Sequence, residues 1–143
     1  RLWRRDMSRH VDPRAQLSKF AEANNFEYQT SKVSLNELTG LTNLSTVPVH
    51  FSVRGTYGGS VFLLGAAGYG SSARGYVAYR LPIAPTIARE QLLLGQLQQQ
   101  FTDFTTISLH DTWIIAEMYE GLMIDQHSIR EYFLLFEKLR QSE

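Results

Sequence analysis

Apolar positions along the chain follow two spacings, and the changes between them predict the secondary-structure elements. Helical spacing begins after Asp12-Pro13, a capping residue followed by a favoured first helical residue. It predicts a helix over about 13–24 and returns in two later segments. The apolar positions of these later helices are Ile87, Leu94, Leu97 and Phe101, and then Ile129, Tyr132, Phe133, Phe136 and Leu139 after an Asp125 cap.

Alternation with period two predicts the strands. The clearest strand places Val47, Val49, Phe51 and Val53 on one face. Shorter strands are predicted at 26–30, 60–64, 75–81, 107–109 and 113–119, and a single helical turn between Ser34 and Gly40. Because the connections are short, the strands are expected to pair antiparallel.

This element order predicts an α+β fold, in which an antiparallel sheet of about five or six strands packs against helices on one face as a two-layer sandwich. The length of 143 residues is close to the commonest size of a single domain. We therefore expect a basic, flexible lead over residues 1–11 and a single α+β domain over 12–143.

The composition argues against several classes of protein for this chain. The net charge is zero, which argues against a nucleic-acid partner, and the absence of cysteine excludes disulfides and thiolate metal sites. The four histidines show no H-x-x-x-H or H-x-H spacing, so we predict no metal and no cofactor.

The lead is basic and contains a tryptophan. Arginines flank Trp3 in RLWRRDMSRH, the composition found just cytoplasmic of a transmembrane helix. This pattern predicts a membrane anchor preceding Arg1 and a location at the cytoplasmic face of the membrane or in the cytoplasm. An Arg-rich disordered lead is the alternative interpretation.

A glycine-rich stretch over 55–75 contains seven of the ten glycines. Its G-x-x-G-x-G order differs from the dinucleotide fingerprint, and no P-loop lysine follows, so turns and sheet-edge loops are the favoured interpretation. Anion or peptide binding is the alternative. The candidate ligand contacts for that alternative are Arg74, Tyr69, Ser71, Ser72, Gly68 and Gly70.

No catalytic residue is assigned from the sequence. His110-Asp111 next to Ser108 has the residue types of a base, an orienting group and a nucleophile, but neighbours on a strand point to opposite faces, so a tight turn is the better interpretation. An uncharged sheet edge near Val61–Leu64 is the predicted surface for a protein partner or for self-association.

Three segments of the chain carry a resemblance at the level of pattern. They are FAEANNFEY at the end of the first helix, RGYVAYRLP in the middle, and DTWIIAEMYEGLMID before the last helix. In these the chain resembles uncharacterised soluble domains of membrane-anchored bacterial proteins. The resemblance implies a soluble appendage to a membrane protein and adds no catalytic residues.

The leading functional prediction is therefore a non-enzymatic interaction or regulatory domain of a membrane-associated protein. A small-ligand or anion-binding domain that uses the loop over 55–75 is the alternative. A hydrolytic enzyme without a recognisable motif comes third.

Overall fold

The chain folds into an α+β arrangement around an open antiparallel sheet. A computed structural model describes residues 13–30, 32–44, 48–68, 73–119, 121–122 and 125–141. This part of the chain contains seven strands and four helices. The helices are α1 (Pro13–Asn24), α2 (Leu35–Thr39), α3 (Ile87–Gln100) and α4 (Gln126–Gln141). The strands are β1 (Glu27–Gln29), β2 (Val33–Ser34), β3 (Pro48–Tyr57), β4 (Ser60–Ala67), β5 (Arg74–Arg80), β6 (Thr106–His110) and β7 (Trp113–Met118).

The strands lie in the order β1-β3-β4-β5-β7-β6, with β2 also paired to β3. All of these pairs are antiparallel, and for β3–β4, β4–β5 and β6–β7 the short connections predicted this. The expected five or six strands are fewer than the seven described. The additional strand is β2, whose two residues are too few to show an alternating pattern in the sequence.

The prediction that Val61–Leu64 forms a sheet edge is wrong. This segment belongs to β4, which pairs with β3 on one side and with β5 on the other. Leu63, for example, lies opposite Arg54 of β3 and Ala78 of β5. Its backbone groups are therefore used within the sheet and cannot receive a partner strand.

The strand β6 lies at one edge of the sheet, and the side chain of Gln98 from α3 covers part of that edge. The Gln98 Nε2 atom donates to the Phe104 carbonyl at 3.0 Å, and the Ile107 N–H donates to Gln98 Oε1 at 3.1 Å. A single carboxamide thus satisfies one donor and one acceptor that the edge would otherwise present to another strand.

Both faces of the sheet are apolar. One face, which contains Phe62, Leu64 and Val77, packs against α1, α3 and α4, whose buried residues include Leu17, Leu97 and Phe136. The other face contains Trp113 and Ile115 and packs against Leu35 of α2. The prediction that the helices lie on one face is therefore wrong for α2.

A β-bulge in β3 accounts for another difference from the predicted pattern. Val49 lies opposite Ala67 and Phe51 lies opposite Ala66, so β3 has one residue more than β4 at this point. The bulge shifts the alternation by one position. As a result Val49 packs on the α2 face, whereas Phe51 and Val53 pack on the face of the longer helices.

The predicted basic lead over 1–11 lies outside the described residues. Within the described ranges, none of the helices combines the length and the apolar character that crossing a bilayer requires.

Candidate functional site

A cleft of about 530 Å³ lies where the α3–β6 connection, the end of β7 and the beginning of α4 meet. The α3–β6 connection supplies Phe101, Asp103, Phe104 and Thr105, and the end of β7 and the segment after it supply Met118, Tyr119 and Gly121. The remaining lining residues are Asp125, His127, Ser128, Glu131 and Tyr132. The α3–β6 connection and the segment from the end of β7 to the start of α4 therefore converge on one cavity.

The floor of the cleft is held in place by aromatic packing. The ring centroids of Phe104 and Tyr132 lie 5.9 Å apart, and those of Phe101 and Phe104 lie 6.4 Å apart. The Tyr132 hydroxyl donates to the Met118 sulfur at 3.7 Å. All four of these side chains are buried, so they form a fixed apolar wall.

Three carboxylates line the cleft, and they differ in what they already bind. Asp125 caps α4, as its position predicted: its Oδ1 accepts the Ser128 N–H at 2.8 Å and its Oδ2 accepts the Ser128 hydroxyl at 3.1 Å. Asp103 is exposed and Glu131 is half-buried. Neither of these two takes part in a hydrogen bond or ion pair with another described residue.

Arg74 borders the cleft through Tyr119. Its guanidinium carbon lies 4.4 Å from the centre of the Tyr119 ring, and its Nε lies 3.5 Å from Glu117 Oε1. The Arg74 Nη1 atom also donates to the Tyr119 carbonyl at 3.4 Å. The guanidinium therefore holds the exposed Tyr119 ring at the rim and is itself occupied by these contacts.

Gly75 allows the segment after β7 to cross over the start of β5. A Cβ atom at this position would lie 2.5 Å from the Leu122 backbone nitrogen and 2.8 Å from the Gly121 carbonyl carbon, which no side chain tolerates. The glycine-rich stretch thus contributes to the cleft through close backbone approach, in addition to its turns. At one of those turns, Gly58-Gly59, both residues have positive φ between β3 and β4.

Of the six ligand contacts predicted in that stretch, Gly68 and Arg74 lie within the described residues. Gly68 has a φ of +73°, and Arg74 has the contacts given above. Tyr69, Gly70, Ser71 and Ser72 lie outside the described residues. An anion-binding role for this set stays a prediction.

Ser108 and His110 form a contact that the sequence did not predict. The Ser108 hydroxyl lies 2.9 Å from His110 Nε2, and burial lowers the pKa of His110 below its ordinary value. Their strand partners Ile115 and Trp113 belong to the α2 face of the sheet, so this pair is on the other side of the sheet from the packing of α3 and α4. Asp111 occupies the predicted tight turn, with a φ of +59°.

A metal site requires several ligand side chains close together. In the parts of the chain that the structure describes, no three His, Asp or Glu side chains are grouped closely enough to hold an ion. The cleft is better described by its separate carboxylates and its aromatic wall.

Sequence reasoning identified Asp125 as a cap and missed the cleft. Asp103 and Tyr119 are brought together by the pairing of β6 with β7, Glu131 lies on α4, and no local motif joins the three. The only local sign was the cluster of aromatic residues around two acidic positions in FTDFT and EYF.

Fold and cleft together define an α+β domain with a small, acidic and partly aromatic cavity. No protein-family model, curated protein or solved structure matches the chain. The resemblance to soluble domains of membrane-anchored bacterial proteins therefore stays a prediction.

Proposed function

We propose that this chain is a non-enzymatic ligand-binding domain whose cleft takes a small organic cation. The observation that carries the proposal is the charge of the cleft. Asp103, Asp125 and Glu131 line it, and the described lining residues include no lysine or arginine. A ligand with an ammonium or guanidinium group would supply the missing positive charge.

The helix end that contributes to the cleft does not reverse this preference. The N-terminus of a helix carries a partial positive charge that favours anions. Here the carboxylate of Asp125 caps that end and accepts two hydrogen bonds from Ser128. The carboxylates of Asp103 and Glu131 then determine the charge of the ligand that the cleft favours.

The volume and the walls favour a ligand with an apolar body. A volume of about 530 Å³ is within the ~300–1,000 Å³ range of small-molecule pockets. The rings of Phe104 and Tyr132 provide apolar surface, and aromatic faces attract cations. Arg74 already makes such a contact with Tyr119 at the rim of this cleft.

The proposal keeps the predicted interaction or regulatory role and replaces the predicted anion by a cation. The glycine-rich stretch supports the site through Gly75 and through the contact of Arg74 with Tyr119. A conformational response of these neighbours to the ligand would give the domain a regulatory output.

Calorimetry with phenethylammonium tests the proposal, because this probe combines an aromatic ring with one positive charge. Its neutral isostere 2-phenylethanol is the matched control ligand. We expect binding of the cation and at least fivefold weaker binding of the alcohol. We also expect the affinity for the cation to fall as salt is raised, since partly exposed charges are screened.

Two isosteric variants locate the site. Glu131→Gln and Asp103→Asn each remove one charge without changing the volume, and each should weaken binding about twofold to fivefold, the equivalent of ~0.4–1 kcal/mol for a partly exposed ion pair. Glu22→Gln is the matched control on α1, which packs beside β1 and β3 at the far edge of the sheet. Equal affinity for the alcohol, or equal effects of Glu131→Gln and Glu22→Gln, would contradict the proposal.

A further inference from the structure

The outer face of α3 exposes apolar side chains that the cleft does not use. The buried residues Leu93 and Leu97 point into the core, and the opposite face contains Ala88, Leu92 and Gly95 at helical spacing. Leu92 is 64% exposed. An exposed leucine in line with two small residues is typical of a helix that packs against another helix.

A groove runs beside this face. It has a volume of about 320 Å³ and lies between α3 and the connector over 81–86. Its apolar lining includes Leu92 and, from the connector, Ile83, which is 80% exposed. A ridge and an adjoining groove on one surface are the shape that interlocking helices require.

The near-neutral charge of this surface suits a second copy of the chain as the occupant. Arg89 and Glu90 are the only charged residues of α3, and its other polar side chains are glutamines. A carboxamide both donates and accepts hydrogen bonds, so a glutamine-rich surface can face its own copy across a twofold axis without repulsion between like charges. A surface with a strong single sign of charge would instead select an oppositely charged partner.

Gly95 provides the room for that approach. Apart from the neighbouring residues and backbone of its own helix, a Cβ atom at Gly95 would have no heavy atom of a described residue within 4 Å, so no packing among the described residues requires a glycine there. Glycine in the interior of a helix lowers its stability by ~0.5–1 kcal/mol relative to alanine. We propose that two copies of this chain associate through α3, crossing at Gly95, with Leu92 and Ile83 of each copy packed against the other.

The size of the surface sets the expected affinity. α3 has 14 residues and is about 21 Å long. With the connector it offers fewer residues than the ~20–30 a side of a standard interface. The association should therefore be reversible, with a dissociation constant in the range of about 10–100 µM.

Sedimentation equilibrium of the full chain, from about 5 µM to about 1 mM, tests the proposal. We expect the average mass to rise from monomer towards dimer across this range. Gly95→Gln should weaken association at least tenfold, because its side chain separates the two helices. The same change should raise the melting temperature of the dilute monomer, since glutamine is the better helix former.

Leu92→Gln should also weaken association at least tenfold. Leu134→Gln is its matched control, because Leu134 is a half-exposed leucine on α4. This control should leave the association unchanged. A wild-type chain that stays monomeric at 1 mM overturns the proposal, and so does a dimer that Gly95→Gln and Leu92→Gln leave intact. The proposal does not depend on ligand binding in the cleft, because the variants and the readout differ.

Discussion

Removing the side chain of Gln98 should destabilise the protein, although Gln98 lies on the exposed face of a helix. Its carboxamide makes two hydrogen bonds, to the Phe104 carbonyl and from the Ile107 N–H. A typical bond contributes ~0.5–1.5 kcal/mol net, and a part-buried donor left without a partner costs ~1–3 kcal/mol. We therefore expect Gln98→Ala to lower the free energy of unfolding by about 2 kcal/mol, even though alanine is the better helix former.

Urea unfolding and thermal melts of dilute protein measure this loss. At ~2–4 °C per kcal/mol, the melting temperature should fall by about 4–8 °C. Gln99→Ala is the matched control, since Gln99 is an exposed neighbour on α3 without a hydrogen bond to a described residue. It should change stability by less than about 0.5 kcal/mol. Equal stability of the two variants would refute the reasoning, because it would mean that water replaces the carboxamide at no cost.

Two further predictions concern pH. The hydrogen bond from the Tyr57 hydroxyl to Glu137, 2.7 Å long, raises the pKa of Tyr57 above its ordinary value of 10.0. The corresponding stability is complete below about pH 10 and is lost as the pH rises through the raised pKa. Tyr57→Phe should remove this alkaline loss in unfolding curves, and a tyrosinate titration of the wild type should show a late-titrating group that Tyr57→Phe removes. Burial lowers the pKa of His110 below 6.5, because the buried imidazole is favoured in its neutral form. The folding stability that this preference provides is present above about pH 6.5 and is lost as the pH falls through the lowered pKa. An NMR titration that places the pKa of His110 at or above 6.5 would contradict this second prediction.

The sequence predicted the helices and most strands because their signals are local. The Asp125 cap, the helical turn that begins at Ser34, whose hydroxyl accepts the Glu37 N–H, and the turn at Asp111 are all present in the structure. The faces of the sheet were harder to predict. β5 and β7 are buried on both sides, so their apolar runs do not show which residues face α3 and α4 and which face α2.

The candidate site could not be predicted for a related reason. Val61–Leu64 is interior because β4 pairs with both of its sequence neighbours, β3 and β5, as two successive hairpins require. The edge prediction was therefore wrong for a local reason. The cleft, in contrast, depends on long-range order, because β7 must pair with β5 before Tyr119 can meet Arg74. Residue spacing within one segment contains no information about that pairing.

The pairing of β5 with β7 has a consequence for how the molecule folds and opens. β3, β4 and β5 form successive hairpins from neighbouring residues, and β6 and β7 form another. These two units join where β5 pairs with β7. Forming this pairing closes the loop that contains the whole of α3. Loop closure of this kind is slow compared with hairpin formation. The contacts of Arg74 with Glu117 and Tyr119 lie at the end of the β5–β7 pairing that is farthest from this loop. We therefore expect them to form late in folding, and we expect partial opening of the sheet to begin at the rim of the cleft.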